Sequence, residues 1–239
     1  MQDIKEPNIQ KEEPKKKKEN GFMNLMINVV IPSVILMKLS KPEYLGQVNA
    51  LIIALIFPIS YGIWDYLTHR KFNFISALGL LSVLLTGGIG LFELDKKWMV
   101  VKETAIPLII GLVVLGSQKT KYPLVRTFLD QIFDIPKIDA EFEKIGKKDY
   151  FEKKISKSGL WLSGTFFISA FLNYVLAVRI LKGEPGSVEF NESLGEMTAL
   201  SLPVISIPMM IIVGFIFYHL IKVITTNTDL ELEEIVKQQ

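Results

Sequence analysis

Apolar runs of about 17–23 residues recur six times along this chain, nearly free of interior charge. That length matches the hydrocarbon core of a bilayer, and no other feature restricts the fold as much. The runs are about Phe22–Lys38, Gln47–Leu67, Phe74–Phe92, Met99–Ser117, Gly159–Val178 and Ala199–Ile221. In lipid each must satisfy its own backbone hydrogen bonds, so each is read as a helix. The first is short and contains Pro32. The mean hydropathy of +0.34 blends these runs with polar segments at 1–20, 118–157, 182–198 and 223–239. The pattern excludes a soluble globular enzyme and a disordered chain. It also excludes an outer-membrane barrel, whose segments are about ten residues long and alternate in polarity. The fold class expected is all-α, a polytopic membrane protein of about six transmembrane helices. Its parts are a lysine-rich tail (1–21), a membrane domain (22–222) and a C-terminal tail (223–239).

Orientation follows from the basic residues in the loops. With the N-terminus inside, the inner segments hold 20 of the 27 Lys and Arg, and both termini are cytoplasmic. The last outer loop is then acidic, with Glu184, Glu189, Glu192 and Glu196. A net charge of +2 is too balanced for nucleic acid as a main partner. The chain has no cysteine and only His69 and His219, so neither a thiolate nor a multi-histidine metal site is expected, and no cofactor. The first twenty residues are charged and lack the apolar core of a cleavable signal, so the first apolar run is expected to direct insertion.

The largest polar segment is the inner loop, 118–158. Leu124, Val125, Phe128, Leu129, Ile132 and Phe133 repeat there at helical spacing after Pro123. The expectation is an amphipathic helix on the inner membrane face, with Lys119, Lys121 and Arg126 toward anionic headgroups, or else a surface for a protein partner. Ile138–Lys157 is expected to be helical near its apolar positions. The arm around Lys15–Lys18 reads as a disordered topology and lipid-contact element.

Polar and small residues inside the runs are the site candidates. Thr165, Ser169, Asn173 and Ala177 share one face of the fifth run, and Ser82, Thr86 and Gly90 one face of the third. Such faces ordinarily pack helices closely; the sharper alternative is that Asn173 lines a polar cavity. Gly87, Gly88 and Gly90 crowd one turn, which fits tight packing better than a broken helix. Ile31-Pro32 and Ile106-Pro107 hold comparable places in two halves of three spans, as an inverted repeat would arrange them. The charged candidates are Asp65, Glu93, Lys102, Glu103 and Arg179. All lie near interfaces, where anchoring is the ordinary role; Asp65 and Glu103 are deep enough for an ion or proton site. No nucleophile–base pair, zinc helix or dinucleotide loop is present, which argues against an enzyme.

Several stretches carry a resemblance. They are Lys71-Phe-Asn-Phe-Ile-Ser-Ala-Leu-Gly through Thr86-Gly-Gly-Ile-Gly, then Trp98, Lys102-Glu103-Thr104 and Tyr122-Pro123-Leu124-Val125-Arg126, and later Leu172-Asn173-Tyr174-Val175 and Leu194-Gly-Glu-Met-Thr-Ala-Leu200. In order and place they resemble the bacterial intracellular septation protein A family, also called inner-membrane-spanning protein YciB. They are also similar to uncharacterised bacterial membrane proteins, some carrying transporter labels. The likeness covers roughly residues 22–222; the arm before Phe22 and the loop 134–158 depart from it. It implies a multi-pass bacterial inner-membrane protein supporting the cell envelope or division through contacts with other membrane proteins, with no catalysis. The alternative is a small secondary transporter, acting as a homodimer and using Asp65 or Glu103. A third reading is a lipid-handling protein.

Overall fold

The computed structural model describes residues 21–69, 74–120, 123–130 and 132–236. The lysine-rich arm 1–20, Arg70, Lys71 and Lys121 lie outside the described residues, as do the side chains of Asp65 and His69. Among the described residues the chain is helical and forms no strand, only an isolated antiparallel bridge between Phe133 and Val236.

Helix α1 (Gly21–Leu25), a π-helical turn (Met26–Val30) and α2 (Ile31–Leu39) form one continuous run. Then come α3 (Gln47–His69), α4 (Phe74–Leu91) and α5 (Lys97–Ser117). Short α6 (Leu124–Leu129) and α7 (Ile135–Lys144) precede the long α8 (Lys148–Ile180). Helix α9 (Val188–Ser201), a second π turn (Leu202–Ser206) and α10 (Ile207–Asn227) again run on without a break, and α11 (Leu232–Ile235) ends the described chain.

Among the described residues, four stretches are long and apolar enough to cross a membrane: 47–64, 97–117, 148–180 and 188–227. Two shorter apolar helices, 23–39 and 79–91, accompany them. Only 11–28% of each long stretch is buried within the protein, so most of its apolar surface faces outward. Ile109, Phe171, Met210 and Phe215 are each more than half exposed. Water penalises such a continuous apolar band and lipid does not, so the chain is a helical membrane protein. Trp161 on α8 is 40% exposed, and tryptophan is enriched at membrane–water interfaces. From there to the helix end at Ile180 is about 29 Å at the α-helical rise, one hydrocarbon thickness.

The prolines explain the π turns. Proline has no N–H, and its ring crowds the carbonyl four residues back. Just before Pro32 the ladder widens, so that the N–H of Ile31 donates to the carbonyl of Met26. Before Pro208 the N–H of Ile207 donates to the carbonyl of Leu202 in the same way. Pro107 lies inside α5 with no π turn beside it. The geometry of Ile31-Pro32 therefore recurs at Ile207-Pro208, not at Ile106-Pro107 as the sequence comparison suggested.

The helices close a ring. The first run packs on α3, α3 on α4, α4 on α5, α5 on α8, α8 on α9, and α9 back on α2. Small residues set the approach. A Cβ at Gly90 would meet Leu51, and one at Gly87 would lie 2.9 Å from the Leu55 side chain. Gly111 admits Phe166 and Phe167 of α8, and Ser163 Oγ donates to the Gly111 carbonyl at 2.8 Å. Asn191 Nδ2 donates to the Gln47 carbonyl at 2.7 Å, tying α9 to the start of α3.

Three boundaries differ by more than two residues from the sequence reading, one being the end of α10 at Asn227, six residues beyond Ile221. Helix α8 starts at Lys148, eleven residues before Gly159, because Phe151 and Ile155 bury its charged-looking first turns. Helix α9 starts at Val188, so Glu189, Glu192 and Glu196 stand on a helix rather than in a loop. The Ser187 side chain accepts from the N–H of Phe190, and Glu189 complements the positive end of the helix dipole.

The inner loop also differs. Val125, Leu129 and Phe133 are buried in a second apolar core with Ile138, Phe142, Phe151, Leu220 and Ile235, rather than lying on the membrane. Phe142 and Phe151 stack with centroids 4.4 Å apart. Arg126 is held by two carboxylates. Its guanidinium donates to both oxygens of Asp139 at 2.8 and 2.9 Å, and to Glu152 at 2.7 Å. The hydrogen bond to Asp139 chiefly, opposed by burial, raises its pKa above the ordinary arginine value. The C-terminal segment is pinned to the same unit by the Asp134 N–H on the Ile235 carbonyl and by the Lys137–Glu234 ion pair at 3.2 Å. The backbone N–H of Glu231 and then Lys137 hold the Glu234 carboxyl below its usual range.

Candidate functional site

A cavity of about 220 Å³ lies inside the ring, and every segment of the ring contributes to its wall. Measured from the loops 40–46, 92–96 and 181–187, the lining positions fall roughly three to thirteen residues into their helices. That places the cavity about 5–20 Å below one surface. The apolar part of the wall includes Leu36, Leu51 and Leu176. The polar part comes from Asn28, Ser82, Thr86, Asn173, Thr198 and Ser201, together with Lys102 and Glu103.

Lys102 is the most unusual residue here. Helix α5 begins at Lys97, so Lys102 sits in its second turn and points inward. Its side chain is only 6% exposed. Burying an ammonium is costly unless it is paired and hydrogen-bonded, and this one is both. Nζ lies 2.6 Å from the Glu103 carboxylate, whose side chain is 22% exposed. Nζ also donates to Thr86 Oγ1 at 2.8 Å, and Thr86 donates onward to the Ser82 carbonyl at 3.0 Å. The third-run pair Ser82 and Thr86 is thus joined to the fourth-run charges.

Asn173 reaches the cavity from α8, with its Nδ2 turned back to the Ser169 carbonyl at 2.8 Å and the Ser169 hydroxyl at 3.3 Å. Beside the first π turn, Asn28 Nδ2 donates to Asn24 Oδ1 at 2.8 Å. Asn24 Nδ2 in turn donates to the Tyr61 hydroxyl at 3.3 Å. This polar line leads from the cavity toward the opposite surface. Both π turns flank the cavity, through Asn28 and Pro32 at the first and Ser201 at the second.

The remaining candidates divide by place. Gly87 and Gly90 are packing positions on α3, whereas a Cβ at Gly88 meets nothing within 4 Å. Thr165 is buried and donates to the Trp161 carbonyl. Glu93 stands in the turn after α4 with φ 50°, its carboxylate close against Gly186. In the same turn Asp95 accepts from the Lys97 N–H at 2.8 Å and pairs with the Lys97 ammonium at 3.0 Å, which lowers its pKa. Arg179 is exposed in the last turn of α8. Asn28 and Ser201 were not singled out from sequence, and Thr198 only as part of the stretch Leu194–Leu200. Their signal is a polar side chain within or beside an apolar run, the same signal that drew attention to Asn173. Among the described residues no group of three or more acidic or histidine side chains is placed to hold a metal ion.

No family model, curated protein or solved structure matches the chain. The functional reading therefore rests on the cavity.

Proposed function

We propose that this chain is a six-crossing protein of a bacterial inner membrane, both termini cytoplasmic, that binds a small polar or charged solute in the ring cavity and carries it across. The observation that supports this most is a buried ion pair facing a cavity walled by all the ring segments. A bilayer protein that needed only packing would gain nothing from charge there. A volume of 220 Å³ holds roughly seven waters, or one small solute. Lys102 and Glu103 offer both signs of charge, and Asn28, Asn173, Thr198 and Ser201 offer neutral donors and acceptors. The two π turns give the first and last runs local irregularity beside the cavity, a place where such helices bend.

The septation-protein resemblance fits this reading in one respect. Thr86, Lys102, Asn173 and Thr198, drawn from four separate resembling stretches, all line the cavity. Support of the envelope would then run through the solute handled there. The alternative of packing against other membrane proteins loses part of its surface, because Gly87 and Gly90 are occupied by α3.

Complementation of a deletion strain tests the proposal, with membrane levels checked for each variant. Glu103→Gln removes the negative charge at nearly constant volume and is expected to lower function more than tenfold. Gly88→Ala adds a methyl to open space and is expected to behave as wild type. Wild-type function in Glu103→Gln would sink the carrier reading.

A further inference from the structure

Outside the ring, α5 and α8 leave an open groove of about 880 Å³ between them at the level of Trp161. Its two walls share one design. On α5, Leu112, Leu115 and Gly116 follow at i, i+3 and i+4, with Lys119 in the turn just past the helix end; on α8, Lys153, Ser156, Lys157 and Leu160 follow at i, i+3, i+4 and i+7. Each wall thus carries leucine toward one end of the groove and lysine toward the other. Gly116 keeps the groove open, since a Cβ there would meet nothing within 4 Å. Among the described residues no acidic side chain lines the groove.

The groove gathers basic residues that have no carboxylate partner among the described residues. Elsewhere in the inner unit Arg126, Lys137, Lys144 and Lys148 are each bound to carboxylates. Lys119, Lys153 and Lys157 are in no ion pair among the described residues; Lys157 lies 5.1 Å from the ring centroid of Trp161, a residue type enriched at headgroup level. Three uncompensated ammonium groups above three leucines match a molecule with a phosphate at one end and an acyl chain at the other.

We propose that this groove is a binding site for one anionic phospholipid, its phosphate held by Lys119, Lys153 and Lys157 and an acyl chain along Leu112, Leu115 and Leu160. Surface lysines near anionic lipid each contribute about fivefold in affinity, so removing three costs roughly 100-fold. The site is independent of what the ring cavity binds.

The test is native mass spectrometry of the full chain in detergent, titrated with phosphatidylglycerol, phosphatidylcholine or inorganic phosphate. Wild type is expected to retain one phosphatidylglycerol in preference to phosphatidylcholine, with millimolar phosphate failing to displace it. The triple variant Lys119→Gln, Lys153→Gln, Lys157→Gln is expected to lose that preference, and the matching triple arginine variant to keep it. Gly116→Phe projects a ring into the groove from a position where a Cβ would meet nothing within 4 Å, and is expected to lose the lipid while melting as wild type does. Equal retention of the two lipids, retention in the glutamine variant, or displacement by phosphate alone would each overturn the proposal.

Discussion

Lys102→Met is expected to lower the unfolding free energy by about 3 kcal/mol and to abolish function. The side chain removed is buried and holds two partners, Glu103 at 2.6 Å and Thr86 at 2.8 Å. Its loss leaves the Glu103 carboxylate facing the cavity with no counter-charge and the Thr86 oxygen without its donor. Breaking one side of a buried pair costs far more than the pair is worth, because the abandoned charge keeps its desolvation penalty. The double variant Lys102→Met, Glu103→Leu removes both charges and is expected to recover most of the lost thermal stability in detergent. It is not expected to recover function. That separation is the informative result: a pair kept for folding would return function along with the melting temperature. Recovery of both would make the pair structural.

The second large effect is expected at Gly195, where α9 meets the first run and the ring closes. A Cβ there would lie 2.8 Å from the Ser33 carbonyl oxygen and 2.9 Å from both Leu36 Cβ and Met37 Cγ. The backbone carbonyl cannot turn aside as a flexible side-chain end can. Gly195→Leu must therefore push α9 off α2, with a cost of about 3 kcal/mol or more. Thermal unfolding in detergent should show the loss. Gly90→Leu is the milder counterpart, since the obstruction is the side chain of Leu51, which can change rotamer. A Gly195→Leu protein as stable as wild type would mean that this contact does not close the ring.

The sequence carried the helices of the ring more readily than their meeting points. Runs such as Phe74–Phe92 and Met99–Ser117 end within two residues of α4 and α5, because an apolar-to-polar step marks both edges. The start of α8 was legible only in part: helix was expected within Ile138–Lys157, on apolar positions such as Phe151 and Ile155, but not its continuation into the apolar run from Gly159. Lys148–Lys157 is dense in charge, and its burial depends on α6, α7 and α10, which sequence spacing does not bring together. The start of α9 was hidden by its glutamates, although Ser187 followed by Glu189 is a helix-opening pattern. Of the site, Thr86, Lys102, Glu103 and Asn173 were readable one at a time, as polar groups near or within apolar runs. Their convergence was not, since α4, α5 and α8 meet only through packing. Arg126 has partners that its own stretch of sequence does not reveal. A lysine- and arginine-rich amphipathic stretch suggests lipid, but Asp139 and Glu152 stand close enough to take the guanidinium first.

On the carrier reading, the ring encloses a polar chamber reached by water from the outer side of the membrane. The chain contains no cysteine, so single cysteines report without background. Ser201→Cys on the cavity wall, Ala177→Cys in the packed core and Ile109→Cys on the lipid-facing surface would be treated in intact cells with a small, charged, membrane-impermeant thiol reagent. Modification of Ser201→Cys alone, slowed by Glu103→Gln, is the result predicted. If Ser201→Cys is as unreactive as Ala177→Cys from both sides of the membrane, the cavity is a dry packing defect and the carrier account is wrong.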